Sequence, residues 1–149
     1  QDADLCGDEL MAVNSLYEVM GLKRIVAMDG AAGRSRLEYE AKAEQCHSGG
    51  VVQGGFVSGW IDAAMAHALI ARLGDGIVPM TLELKVSFLA PARPGPVFAE
   101  GWIVKAGRKT AFVEGSLKDG AGELLATASS TLMLADRARV EAASKAAVE

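Results

Sequence analysis

Cysteine is rare in this sequence, and so are aromatic residues and clusters of positive charge. The only two cysteines, Cys6 and Cys46, are too few and too far apart to form a disulfide framework or a metal site. Such a cysteine content fits a reducing cytoplasm. Phe, Trp and Tyr supply only 5% of the residues, so we expect a core built mainly from Ala, Val, Leu and Ile.

The sequence also lacks the charge patterns that mark nucleic-acid and membrane binding. Its formal charge is −4, without a basic stripe or a Lys/Arg-rich amphipathic segment. A small-molecule substrate is therefore the expected partner. Residues 1–8 contain no basic region followed by an apolar run, so no secretory signal is visible and we expect a cytoplasmic protein.

Length and composition predict a single globular domain over residues 1–149, since half of the residues are hydrophobic and 23% are charged. The most apolar stretch, Val51 to Leu73, is about as long as a membrane span. It nevertheless contains residues that are costly at membrane depth, namely Gln53, Asp62, His67 and Arg72. We interpret this stretch as a helix buried within the protein.

The hydrophobic periodicity predicts an α+β domain. Apolar residues at three- and four-residue steps predict a first helix from Asp8 to Met20, and Val51 to Leu73 forms the long central helix. Alternation of apolar and polar residues predicts two strands before the central helix and a four-strand meander after it. These strands are Leu22 to Met28, Arg36 to Ala43, Thr81 to Phe88, Val97 to Lys105, Thr110 to Lys118 and Leu124 to Leu134. Residues 135–149 are predicted to form a frayed helix or tail.

This order of elements favours one curved, six-stranded antiparallel sheet wrapped around the central helix. Six strands on one side cannot enclose such a helix, so we expect a face or an edge of the sheet to meet a second copy of the chain. In the strand after the helix, Thr81 alternates with Leu82 and Leu84. Thr81 is therefore predicted to point away from the apolar core.

The run of residues 47–55, which opens the central helix, is rich in glycine. Glycine permits close approach to the backbone, and the first amides of a helix have no internal partner, so they are able to bind a developing oxyanion. Gly54 is the candidate donor. The alternative interpretation is that this run is only a tight connection between a strand and a helix.

Asp62 is the second candidate for a functional residue, because it lies two turns into an otherwise apolar helix. A carboxylate in such surroundings is costly to bury without a task or a partner. It is interpreted either as a catalytic group or as one half of an ion pair or a hydrogen bond at a subunit interface.

The motif residues together resemble the hotdog-fold acyl-CoA thioesterases of the phenylacetate-degradation type. The resemblance covers roughly residues 21–134 and rests on His47, Gly50, Gln53, Gly54, Gly55, Asp62, Thr81 and the run Phe88-Leu89-Ala90-Pro91. It implies a sheet around one long helix, dimers joined edge to edge, pairing of dimers into tetramers, and no metal or redox cofactor.

The resemblance also implies roles for particular residues. Asp62 would be the nucleophile or the general base that activates water, Gly54 the oxyanion donor, and Thr81 the hydroxyl that positions the water. The site would lie at a dimer interface, so Gly54 would serve a centre completed by Asp62 and Thr81 of the partner chain. Hydrolysis of a thioester needs a hydrogen-bond donor where negative charge develops on the carbonyl oxygen. It also needs a base on the opposite side of the carbonyl that holds the attacking water.

The sequence departs from the family pattern at two of these positions. Gln53 stands where the family most often has His, and His47 stands where it has Asn. Gln53 is still able to donate a hydrogen bond to a thioester oxygen, and His47 would orient the leaving sulfur or the water. The resemblance further implies coenzyme A contacts, for which the candidates are Gly55, Phe88, Arg93, Arg108 and Lys109.

The sequence thus predicts hydrolysis of acyl- or aryl-acyl-CoA by a homodimer or homotetramer. Two other functions stay open, a hydratase or dehydratase acting on acyl thioesters and a non-catalytic acyl-CoA binding module. Trp60, Met65 and Leu69 would line the acyl side of the pocket or simply fill the core. The sequence leaves the size of the acyl group open.

Overall fold

The computed structural model describes residues 15–148, so part of the predicted first helix, Asp8 to Met20, lies outside the described residues. Within that helix, residues 15–20 are helical. The strands that follow are β1 (Leu22–Asp29), β2 (Arg34–Ala41), β3 (Cys46–His47), β4 (Val51–Val52), β5 (Ile77–Phe88), β6 (Gly95–Ala106), β7 (Thr110–Asp119) and β8 (Leu124–Asp136). The α-helices after β1 are α1 (Gly54–Leu73) and α2 (Arg137–Val148), and a short 3₁₀ helix spans Ala43–Gln45.

The main sheet is antiparallel and six-stranded, in the order β1-β2-β6-β7-β8-β5. The predicted six-stranded sheet around one central helix is therefore confirmed. The predicted four-strand meander is wrong for β5, which pairs with β8 instead of with β6. Residues 89–94 carry the chain past three strand spacings, about 14 Å, and the prolines in this connection suit such an extended crossing.

Helix α1 packs against the sheet through one face. The buried residues follow steps of three and four, which places them on one stripe: Val57, Trp60, Ile61, Ala64, Met65, Ala68 and Leu69. Trp60, Met65 and Leu69 are fully buried, so they fill this core. No helix within residues 15–148 combines the length and apolarity needed to cross a membrane.

The helical segment of residues 15–20 is held against this core by its last carbonyl groups. Trp60 Nε1 donates to Met20 O at 2.7 Å, Gln45 Nε2 to Val19 O at 2.9 Å, and Lys42 Nζ to Glu18 O at 3.0 Å. Three side chains thereby donate to the last carbonyls of this helix, and Glu18 O also accepts from Gly21 N at 3.1 Å.

Replacing Trp60 by Phe is expected to lower the free energy of unfolding by about 2 kcal/mol or more. The substitution leaves the Met20 carbonyl without its donor and removes buried volume from the core. Urea unfolding followed by circular dichroism measures the change.

The matched control is Trp102→Phe, because the indole of Trp102 donates to the exposed Glu114 carboxylate at 3.1 Å. The free energy of unfolding of this variant should fall by no more than about 1 kcal/mol. Equal losses in the two variants would contradict the role assigned to the Trp60 hydrogen bond.

Candidate active site

The first turn of α1 presents one backbone amide without a partner. Gln53 caps the helix: its Oε1 accepts from Gly55 N at 2.9 Å, and its carbonyl accepts from Phe56 N at 3.0 Å. Gly54 N, directly before these two capped amides, has no hydrogen-bond partner among residues 15–148. The partial positive charge of the helix N-terminus adds to the pull of this N–H on a negative oxygen.

The two glycines of this turn make room for the side chains that surround it. A Cβ atom on Gly55 would lie 2.7 Å from Gln53 Oε1, so a side chain there would push the capping carboxamide out of place. A Cβ atom on Gly54 would lie 3.2 Å from Phe88 Cζ, because the Phe88 ring packs over the start of the helix. The helix α1 therefore begins at Gly54 and not at Val51, since Val51 and Val52 pair with the strand β3.

A cavity of about 400 Å³ opens beside the Gly54 amide. Its walls come from the β3–β4 hairpin, the start of α1, the end of β5 and the crossing connection. The residues that line it are His47, Val51, Val52, Gly54, Val57, Phe88, Leu89, Ala90, Pro91, Ala92 and Leu125. The structure thus brings together three predicted site residues, His47, Gly54 and Phe88.

His47 is the one titratable side chain in that lining. Its Nδ1 lies 3.0 Å from Ser48 O, and a carbonyl oxygen only accepts, so Nδ1 carries the proton of this bond. The other ring nitrogen, Nε2, is left to meet a ligand. Residues 15–148 contain no group of three or more His, Cys, Asp or Glu side chains placed to hold a metal ion.

Asp62 and Thr81 form a second group within the same chain. Thr81 Oγ1 donates to Asp62 Oδ1 at 2.8 Å. Asp62 is half-buried rather than enclosed, because it lies on the face of α1 that the sheet leaves uncovered. This bond occupies one carboxylate oxygen and leaves Oδ2 available to a water or a substrate.

The orientation of Thr81 differs from the prediction, and a β-bulge is the reason. Thr81 pairs with Leu132 and Glu83 pairs with Thr131, so Leu82 is an extra residue without a partner on β8. The bulge shifts the phase of the alternation, so that Thr81 faces α1 while Leu82 is 60% exposed. Bulges commonly re-aim a side chain next to a functional site.

The two groups are far apart in one chain. Gly54 and Asp62 are separated by eight residues of a continuous helix, which corresponds to about 12 Å along its axis. One thioester carbonyl cannot reach both the Gly54 amide and the Asp62 carboxylate of the same chain. A site that uses both residues therefore requires two chains.

The predicted cationic contacts are also divided. Arg93 lies in the crossing connection just before β6 and donates to Gly49 O at 3.3 Å. Arg108 and Lys109 lie in the exposed turn after β6, and Lys109 O accepts from Leu134 N at 2.8 Å. The length of β6 keeps Arg93 apart from the other two, by about 36 Å for a straight strand.

The sequence analysis missed the apolar walls of the cavity. Leu125 and Val57 line it, yet they lie in different elements and carry no pattern that distinguishes them from ordinary core residues. Hydrogen bonds from Leu89 N and Ala90 N to Leu125 O, at 2.9 and 3.1 Å, hold the crossing connection in place as one wall. These contacts join residues distant in sequence, so periodicity gives no sign of them.

Comparison with proteins of known sequence identifies relatives across the centre of the chain. The profile of the Thioesterase superfamily matches residues 49–126. A Saccharolobus solfataricus protein named as an esterase is 33% identical over 101 residues, which cover 66% of this chain and 65% of that protein. A second protein of that organism, also named as an esterase, is 35% identical over 96 residues, covering 64% of this chain and 68% of its own length.

Solved structures agree with this assignment. A phenylacetic acid degradation-related protein from Ralstonia eutropha JMP134, described as a thioesterase, has 34% identity and a TM-score of 0.74, and the match covers 80% of this chain and 89% of that one. A mutant of the phenylacetic acid degradation protein PaaI from Thermus thermophilus has 25% identity and a TM-score of 0.69, over 80% and 97% of the two chains.

A Streptococcus mutans UA159 protein bound to acetyl CoA shares the fold, with 19% identity and a TM-score of 0.68 over 75% of this chain and 87% of that one. The hotdog fold and the resemblance to the phenylacetate-degradation type are therefore confirmed. The chain belongs to the thioesterase superfamily.

Proposed function

We propose that this protein hydrolyses acyl-CoA thioesters to the free acid and coenzyme A. The observation that carries the proposal is the unpartnered Gly54 N–H at the mouth of an apolar cavity. An amide in this position is able to stabilise the oxyanion that develops when a thioester carbonyl is attacked. Membership of the thioesterase superfamily supports the reaction class, and the acetyl CoA in the Streptococcus mutans protein supports coenzyme A as the carrier.

The proposed site is shared between the two chains of a homodimer, or of each dimer in a tetramer. Gly54 of one chain supplies the oxyanion donor, while Asp62 and Thr81 come from its partner. The separation of these groups within one chain supports this arrangement. Strand β5 supports it as well, because it is a free sheet edge that exposes apolar side chains, with Met80 exposed by 41% and Leu82 by 60%.

In this site Asp62 acts on the face of the carbonyl opposite Gly54. The carboxylate either takes a proton from water, which then attacks the carbonyl carbon, or attacks that carbon itself. In both routes the carbon–sulfur bond breaks, the thiolate leaves with the electron pair, and one water is consumed, either in the attack on the carbonyl carbon or in the opening of the anhydride. The hydroxyl of Thr81 fixes the carboxylate by donating to Oδ1 and positions the water.

Gln53 and His47 have supporting roles in the proposed site. A backbone N–H only donates, so the Gln53 atom that accepts from Gly55 N must be the oxygen. The amide nitrogen of Gln53 is then free to donate to the substrate. His47, on the cavity wall, orients the leaving sulfur or the water through Nε2.

The coenzyme A part of the substrate is proposed to lie on both chains. Its phosphates would meet Arg93 of one chain and Arg108 and Lys109 of the other, because these cations lie at opposite ends of β6 within one chain. Phe88 and Gly55 would contact the thioester end of the carrier, near the start of α1. The reaction needs no metal and no redox cofactor.

The direct test is release of free thiol from acetyl-, octanoyl-, palmitoyl- and phenylacetyl-CoA by the purified protein. We expect catalytic turnover of at least one of them, with the free acid and coenzyme A as the only products. Binding of coenzyme A without turnover of any substrate would instead indicate a binding module. A hydrated or dehydrated acyl-CoA product would indicate the hydratase class.

A mixing experiment tests whether the site is shared. Dimers assembled from equal amounts of Gly54→Pro and Asp62→Asn chains contain one intact site in each mixed dimer, and none in the others. Random assembly should therefore restore about a quarter of the native activity, although each variant alone is inactive. Co-expression with two different affinity tags isolates the mixed dimers. No recovery in mixed dimers would show that one chain supplies the whole site.

A further inference from the structure

We propose that Gln45 is a positioning residue that holds the Gly54 N–H in the direction needed to bind an oxyanion. This inference rests on the proposed function and adds to it a residue that does not contact the substrate. Gln45 is only 4% exposed and does not line the cavity beside Gly54. Its role therefore depends on the groups to which it is bonded.

Every polar atom of Gln45 is hydrogen-bonded within the protein. Its main-chain N donates to Lys42 O at 3.0 Å, and its side-chain Oε1 accepts from Lys42 N at 2.9 Å. Nε2 donates to Val19 O at 2.9 Å, and the main-chain O accepts from Gln53 N at 2.9 Å. A buried carboxamide bonded in this way has one favoured orientation, because a rotation would leave a polar group without a partner.

The bond from Gln53 N to Gln45 O joins this turn to the start of α1. It closes the base of the β3–β4 hairpin, which otherwise has only two residue pairs and would be marginal by itself. On the other side, Val52 N donates to Ala92 O at 2.8 Å and holds β4 against the crossing connection. The direction in which the chain enters α1 is therefore set in part by Gln45.

Gln53 transmits this restraint to the Gly54 amide. The peptide unit that joins the two residues is planar and trans, so its N–H points opposite to its carbonyl. That carbonyl accepts from Phe56 N at 3.0 Å, and the Gln53 side chain accepts from Gly55 N at 2.9 Å. Because Gln53 N is also held by Gln45 O, the peptide plane and its N–H are restrained from both sides.

A small tilt of this peptide plane affects the rate, because oxyanion stabilisation depends on the direction of the donor. Hydrogen bonds weaken steeply at poor angles, and a misplacement of about 1 Å by a mutation outside the site costs up to about a hundredfold in rate. Loss of the Gln45 restraint is partial, since the other bonds of Gln53 remain. The expected loss is therefore about tenfold, smaller than the loss on removing the donor.

Replacing Gln45 by Met tests the inference, because Met has a similar length but lacks the carboxamide that joins Lys42 N to Val19 O. For the acyl-CoA that the native protein hydrolyses fastest, kcat should fall about tenfold while KM changes less than about twofold. In a Gly54→Pro background the donor is already absent, so the same replacement should change kcat less than about twofold. A general loss of folded protein would instead lower kcat by the same factor in both backgrounds.

The matched control is Lys42→Met. Lys42 Nζ donates to Glu18 O at 3.0 Å, so this variant also removes a bond to the helical segment of residues 15–20. The main-chain N and O of Lys42 stay bonded to Gln45, so kcat should be native. Urea unfolding followed by circular dichroism, together with gel filtration, establishes that each variant is folded and assembled.

Each other outcome has a definite meaning. Native kcat in Gln45→Met, an equal loss in both backgrounds, or an equal loss in Lys42→Met would overturn this inference while hydrolysis itself stood. Failure of the native protein to hydrolyse any acyl-CoA would overturn the proposed function, and this inference with it. If Gln45→Met does not fold, Gln45→Asn replaces it, because a carboxamide one methylene shorter cannot join Lys42 N to Val19 O. Its kcat should fall about threefold, again only where the Gly54 N–H is present.

Discussion

Replacing Asp62 by Asn is expected to lower kcat for acyl-CoA hydrolysis about a hundredfold or more. Asn has the shape of Asp and keeps an oxygen to accept from Thr81 Oγ1, but it is neither a base nor a nucleophile at neutral pH. Asp62 is half-buried and makes no ion pair within residues 15–148, so the free energy of unfolding should change little. Thiol release under saturating substrate measures the loss.

The matched control is Asp75→Asn, which removes the same charge from an exposed loop after α1. Its carbonyl, and not its carboxylate, accepts from Arg137 Nε, so the substitution leaves that hydrogen bond intact. We expect native activity. An Asp62→Asn variant that folds, assembles as the native protein does and keeps more than a tenth of native kcat would remove Asp62 from the chemical step.

A single turnover in ¹⁸O-labelled water separates the two routes open to Asp62. General-base catalysis places the labelled oxygen in the acid product of the first turnover. Nucleophilic attack passes through an anhydride, and when water opens it at the Asp62 carbon, the label appears on Asp62 and the acid takes an unlabelled oxygen from the protein. Mass spectrometry of the acid and of the peptide that contains Asp62 reads the difference.

Replacing Gly54 by Pro is expected to lower kcat by about 10²–10³-fold, the effect of removing one oxyanion donor. Proline lacks the N–H and suits the first position of a helix. The residue before it must be extended, and Gln53 already has φ −61° and ψ 136°. The substitution therefore removes the proposed donor without bending the chain.

Gly54→Ala is the matched control, because it brings the same Cβ atom toward Phe88 Cζ, 3.2 Å away, and keeps the N–H. Phe88 is 55% exposed and is free to move aside, so Gly54→Ala should retain most of the native kcat. Equal losses in the two variants would assign the effect to crowding by the side chain. The Gly54 amide would then not be the oxyanion donor.

The element pattern could be read from the sequence because it depends on local periodicity. A long apolar stretch bounded by glycines located α1, and alternation located the six strands of the main sheet to within a few residues. The end of α1 was also correct, since Gly74 follows Leu73 with a positive φ of 84° that favours glycine. Its start was predicted three residues early because Val51 and Val52 are as apolar as the helix that follows them.

Strand pairing was harder to predict, because local pattern does not determine which strands are neighbours. The predicted meander, in which consecutive strands pair, is wrong for β5. Residues 89–94 cross the end of the sheet, so that β5 and β6 are not neighbours. The same crossing builds a wall of the cavity through the bonds to Leu125 O. The sequence shows that a proline-rich connection separates β5 from β6. It does not show which strand of the sheet each of them pairs with.

The sequence by itself determined the long apolar helix, the strands around it, and the rare residue types at its centre, Asp62 and the glycines that open it. These features follow from side-chain polarity and backbone freedom, which each residue carries with it. Only the tertiary structure decided that a bulge at Leu82 turns Thr81 toward Asp62, and that Gln53 caps Gly55 and leaves Gly54 uncapped. The first depends on how β5 pairs with β8 and packs against α1. The second depends on the backbone conformation at the start of α1, which residue types alone do not specify.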